Sequence, residues 1–124
     1  MRLLCAAASA VVGGVLLAAP AAASTPIAFS FAGCETDLVT AVGCTADWSG
    51  GTGPYTASWT TASAGRVVVT GVSTVEIDSQ SGTWQSNASI RCTSSSTTGQ
   101  ARIVVTDATG AQATKIMTFS CAVH

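Results

Sequence analysis

Residues 44–60 read C-T-A-D-W-S-G-G-T-G-P-Y-T-A-S-W-T. Cys44, Ala46 and Trp48 share one parity, and Thr45 and Asp47 take the other. An apolar period of two marks a strand with one buried face. Ser49-Gly50-Gly51-Thr52-Gly53-Pro54 then breaks the alternation. Glycine and proline supply turn dihedrals that a strand does not tolerate. Beyond the turn Tyr55, Ala57 and Trp59 face one way, with Thr56, Ser58 and Thr60 opposite. The stretch predicts two strands around a glycine-rich turn, each carrying a tryptophan toward a core.

The same period extends in both directions. Ile27, Phe29 and Phe31 alternate with small or polar residues and predict a first strand, with a turn over Gly33 to Asp37. Leu38, Thr40 and Val42 continue the Cys44 parity upstream. Downstream, Ala62 to Gly65 predicts a loop, Val67 and Val69 a short strand ending at Gly71, and Val75 and Ile77 another. Trp84, Ala88, Ile90 and Cys92 share a parity, and Thr93 to Gly99 is a polar loop or a soft strand start. Ala101, Ile103 and Val105 lead into the turn Asp107-Ala108-Thr109-Gly110, and Met117, Phe119 and Cys121 lead out of it. Seven or eight short strands with turn signals every 8–12 residues or so predict an all-β, antiparallel sandwich without a helix.

The first 23 residues stand apart. Met1-Arg2 is a short positive region, Leu3 to Ala19 is apolar and uncharged, and Pro20 to Ala23 ends in small residues. This is the pattern of a secretory signal peptide cleaved after Ala23. Residues 24–124 then form one domain of about 100 residues. Arg66, Arg91, Arg102 and Lys115 face Glu35, Asp37, Asp47, Glu76, Asp78 and Asp107, a slightly acidic balance. No basic patch is available for a phosphate backbone, which argues against nucleic acid as a partner. No segment after residue 23 suits membrane insertion.

Cys34, Cys44, Cys92 and Cys121 remain after cleavage. An even number of cysteines in a small exported domain predicts two disulfides. A structural metal is disfavoured, because there is no C-x-x-C pair and the one histidine is the last residue. If strands 27–31 and 38–48 turn near residue 36, Cys34 lies opposite about residue 39 and out of reach of Cys44. The preferred pairing is therefore Cys44–Cys92, between sheets and under Trp59, with Cys34–Cys121. Cys34–Cys44 with Cys92–Cys121 is the alternative.

Cys44, the glycine turn, Trp59 and Cys92 resemble an immunoglobulin-like domain, in which a third-strand tryptophan packs on an inter-sheet disulfide. Trp48-Ser49-Gly50-Gly51-Thr52-Gly53-Pro54-Tyr55 followed by Trp59 is also similar to bacterial extracellular PKD-type repeats. So is Ile103-Val104-Val105-Thr106-Asp107-Ala108-Thr109-Gly110 to the hairpin that closes those domains. Ile90 stands where the immunoglobulin family places a tyrosine, and the W-D-F-G-D signature of PKD domains is absent. The resemblance implies an extracellular spacer or binding module and transfers no ligand residues.

Candidate chemistry is sparse. A terminal His124 does not suit a Ser-His-Asp arrangement. Glu76 and Asp78 lie two apart on one polar strand face, a spacing that a carboxylate pair also uses, but solvated strand charges are far more common. Trp48 and Tyr55 flank the glycine turn and are the candidate ligand contacts, as an aromatic pair for a sugar ring or a partner's side chain. The expectation is a secreted, non-enzymatic binding or adhesion module without a cofactor, its partner an extracellular protein or glycan. A small exported inhibitor or ligand carrier is the alternative.

Overall fold

A computed structural model describes residues 25–38, 41–62, 67–93 and 97–121. The expected leader, Val39-Thr40, most of the loop after Ala62 and His124 lie outside the described residues. Among the described residues the alternation yields eight strands: β1 Ala28–Leu38, β2 Ala41–Ser49, β3 Thr56–Thr61, β4 Val67–Val72, β5 Glu76–Asp78, β6 Thr83–Cys92, β7 Thr97–Thr106 and β8 Gln112–Cys121. The described residues contain no helix. All strand pairs are antiparallel.

One sheet has the order β1-β2-β6-β4, and β5 also pairs with β6. Because β2 occupies one side of β6 over most of its length, β4 and β5 follow one another along the other side. The second sheet has the order β3-β7-β8. Their facing residues form one core. From the first sheet come Val42, Cys44, Ala46, Trp48, Val67, Ala88, Ile90 and Cys92; from the second, Trp59, Ala101, Ile103, Val105, Met117, Phe119 and Cys121. Full burial of an Ile103-sized side chain contributes about 1.5–3 kcal/mol. Trp59 Nε1 joins the layers by donating to Ser86 Oγ on β6.

Three sequence expectations need correction. First, β1 does not stop at Phe31. It runs to Leu38, so Glu35 and Asp37 are strand residues rather than turn residues. Second, the β1–β2 register shifts between Phe29 and Phe31. A bulge of this kind adds one residue and reverses facing beyond it. Phe29 therefore packs on the core while Phe31 is 54% exposed. Ile77 also faces solvent.

The third correction is the disulfide pairing. Cys34 bonds Cys44, and Cys92 bonds Cys121. The longer β1 moves the turn, so Cys34 lies directly opposite Cys44 with Cα atoms 4.0 Å apart. Cys44 and Cys92 belong to the same sheet. Cys44 sits opposite Ala88, four residues along β6 from Cys92, which is about 13 Å of strand. A disulfide does not span that. The bridge between sheets is instead Cys92–Cys121, from β6 to β8.

Candidate functional site

Two regions concentrate side chains with recognition chemistry. The first is the end of the molecule where the glycine turn sits. Trp48 is fully buried at the end of β2 and meets Phe29 and Tyr55 edge-on, with centroids 6.4 and 5.7 Å away. Tyr55 in turn lies 5.0 Å from Trp84. The structure thus brings the two candidate contacts together, but Trp48 has no open face for a ligand. Tyr55 is half-buried, and its hydroxyl donates to Gly50 O at 2.5 Å. Burial raises its pKa above the ordinary tyrosine value, helped by the Asp107 charge nearby.

The turn itself is clamped to its surroundings. Gly51 N donates to Thr25 O at 2.6 Å, and Ala108 N donates to Thr52 O at 2.8 Å. Asp107, just past β7, is buried. Its carboxylate accepts from Thr52 N at 3.0 Å, Thr109 N at 2.9 Å, Thr109 Oγ1 at 2.7 Å and Ala111 N at 3.0 Å. The Thr109 hydroxyl is the largest of the influences that hold this carboxyl below its ordinary pKa; burial opposes it and the backbone N–H groups reinforce it. Asp107 therefore ties the β7–β8 turn to the glycine turn fifty-five residues earlier. The glycine turn that the two candidate contacts flank is a strapped closure over the aromatic end of the core. Gly50 has φ +83, and a Cβ there would run into the Pro26 carbonyl.

The second region is the outer face of β1, β2 and β6. A depression of about 490 Å³ is lined by Phe31, Gly33, Glu35, Gly43, Thr45, Asn87 and Ser89, among others. Gly33 and Gly43 leave the floor without side chains, and the bulge in β1 puts Phe31 at its edge. Across β2 and β6 the polar residues form a directed chain. Thr45 Oγ1 donates to Asn87 Oδ1 at 2.7 Å, Asn87 Nδ2 to Gln85 Oε1 at 3.4 Å, and Gln85 Nε2 to Asp47 Oδ1 at 3.0 Å. This fixes which way the Asn87 amide points. A smaller depression of about 330 Å³ lies on the other sheet beside Thr60, Arg102 and Ile116.

Sequence parity missed Phe31 because it counted through the bulge. The two glycines in the β1–β2 hairpin were the available signal, since glycine inside a strand marks a bulge or a close approach. Glu76 and Asp78 are both exposed on β5. Asp78 accepts from Gln80 N at 2.9 Å, and that bond is the main reason its pKa lies below the ordinary value. A general acid requires the opposite shift.

No protein-family model matches this sequence, and no curated protein matches it either.

Proposed function

We propose that this chain is an exported, non-enzymatic immunoglobulin-like domain that binds a ligand outside the cell through the outer face of β1, β2 and β6. The observation that carries the binding role is Phe31, a large apolar ring held in solvent at the rim of a glycine-floored depression. An exposed apolar group beside convergent polar side chains is the usual makeup of a recognition surface.

The strand order supports the fold assignment. β1-β2-β6-β4 against β3-β7-β8 follows the same order as ABED against CFG in constant-type immunoglobulin domains, with β5 as an additional strand beside β6. The cysteines depart from that family, which bridges its second and sixth strands. Here the bridges join β1 to β2 and β6 to β8. Two disulfides are consistent with an oxidising compartment, and residues 1–23 supply the leader for reaching it. No helix among the described residues is long and apolar enough to cross a membrane. Of the alternative, a small exported inhibitor or small-ligand carrier, the carrier form calls for an apolar pocket between the sheets. Both depressions open on outer faces, and Trp48, Trp59 and Ile103 occupy the interior.

Export is tested by expressing the full chain with its own leader and sequencing the N-terminus of the released protein. A start at Ser24 is expected, and retention in the cell would refute it. Binding is tested by retention on isolated cell wall and on matrices carrying culture-supernatant proteins. Wild type should be retained, Phe31→Ser should not, and Ile116→Ser on the opposite sheet should behave as wild type. Equal behaviour of the two variants would refute the assignment of this face.

A further inference from the structure

We infer that the depression beside Phe31 accepts a neutral saccharide chain, with the Phe31 ring as the stacking platform; this rests on the reading of that face as the binding face. The ring leans along β1 into space that a side chain at residue 33 would need. A Cβ on Gly33 would stand 3.2 Å from Phe31 Cζ and 3.7 and 3.8 Å from Cε2 and Cε1. Gly33 lies within the ladder opposite Thr45, not in a left-handed turn. The ring covers Gly33, which explains the want of a side chain there, and its surface lies beside the side-chain-free stretch at Gly43.

The rim chemistry selects among ligands. Glu35, Thr45, Asn87 and Ser89 offer a carboxylate, two hydroxyls and an amide, and no cation lines the depression. A phosphate, sulfate or uronate would meet the Glu35 charge without a compensating base. An extended peptide adds to a sheet through a free strand edge. Among the described residues β1 is the outermost strand of this sheet, but its unpaired edge points away from the depression, which lies over the β1–β2 and β2–β6 pairings. A wholly apolar ligand would strip water from the hydroxyls and amide and return no hydrogen bonds. A pyranose satisfies each condition: its C–H face packs on an aromatic ring, and its hydroxyls both donate and accept. The chain from Thr45 through Asn87 and Gln85 to Asp47 holds the Asn87 amide in place before the ligand arrives.

The test is a titration of the ¹⁵N-labelled protein, produced from the full-length chain in an oxidising host, followed by amide shifts. The probes are cellohexaose, chitohexaose, maltohexaose and xylohexaose, with a heparin hexasaccharide and inorganic phosphate as the anionic arm. At least one neutral hexasaccharide should shift the amides of residues 31–35, 43–45 and 87–89. Phe31→Ala should weaken that binding about tenfold or more, the scale of a single aromatic anchor. Gly33→Val, which displaces the ring without removing it, should weaken it as well, and Ile116→Ala should not. If no neutral probe moves those amides, or Phe31→Ala binds as wild type, the saccharide assignment is overturned. If the anionic probes move these same amides instead, the binding face stands and the ligand class is wrong. If neutral probes move the amides around Arg102 and Ile116 instead, the face is wrong, and with it the reading on which this inference rests.

Discussion

Trp59 Nε1 donates to Ser86 Oγ at 2.9 Å in the interior, with Trp59 on one sheet and Ser86 on the other. It is a polar pin between two apolar layers. A buried donor left without its acceptor costs about 1–3 kcal/mol. Ser86→Ala should lower stability by that amount in urea unfolding. Trp59→Phe in the Ser86→Ala background should cost less than it does in wild type, because the orphaned N–H is removed with the ring. Independent, additive effects would show that the pair is not coupled.

The two disulfides should differ in weight. They enclose sequence separations of 10 and 29 residues. Restriction of the unfolded chain alone then contributes about 2.7 kcal/mol for Cys34–Cys44 and about 3.6 kcal/mol for Cys92–Cys121. Both sulfurs of the second bridge also sit in fully buried residues joining the sheets, so its removal adds a packing loss. Cys92→Ala/Cys121→Ala should unfold at lower urea than Cys34→Ala/Cys44→Ala. Non-reducing peptide maps, cleaved at acidic residues to separate Cys34 from Cys44, should recover these two pairs.

Asp107 predicts acid sensitivity. Its folded carboxyl is held below the ordinary 3.8, first by the Thr109 hydroxyl and further by the N–H groups of Thr52, Thr109 and Ala111. A depressed folded pKa contributes stability that is present above the unfolded value and lost as pH falls through the folded one. Asp78 acts in the same direction through Gln80 N. The melting temperature should therefore hold at neutral pH and fall below about pH 4, near the unfolded carboxylate value. Asp107→Asn should melt below wild type at pH 7, with the gap closing in acid. A gap that is constant across pH would contradict the clamp.

Gly50 separates backbone strain from steric collision. Gly110 has φ +90 and open space where a Cβ would stand, so Gly110→Ala meets the left-handed penalty alone, about 1–2 kcal/mol. Gly50 has φ +83 and the Pro26 carbonyl in the way. Gly50→Ala should cost clearly more in the same unfolding assay, and its turn amides should shift around Thr25 and Thr52. Equal costs would mean that the glycine turn is not packed against the N-terminal segment.

The inward faces of β2, β3, β6, β7 and β8 were legible in the chain, because a strand's side chains alternate by local stereochemistry. Val42, Cys44, Ala46 and Trp48 follow that rule, as do Ala101, Ile103 and Val105. The turn at Asp107 was legible for the same reason, since its carboxylate caps N–H groups two and four residues on. That same carboxylate's bond to Thr52 was not, because it crosses the fold.

The sequence by itself determined an all-β chain, its antiparallel turns and the four cysteines after residue 23 that could pair. Those features depend on residues within a few positions of one another. The tertiary structure decided which cysteine meets which, because a partner is set by where a hairpin turns and which sheet a strand joins. It also decided where an aromatic side chain is open to solvent. One extra residue between Phe29 and Phe31 turned Phe31 outward, and the strap from Asp107 and Thr25 closed the glycine turn beside Trp48. Both outcomes arise from register and long-range hydrogen bonds, which no local period encodes.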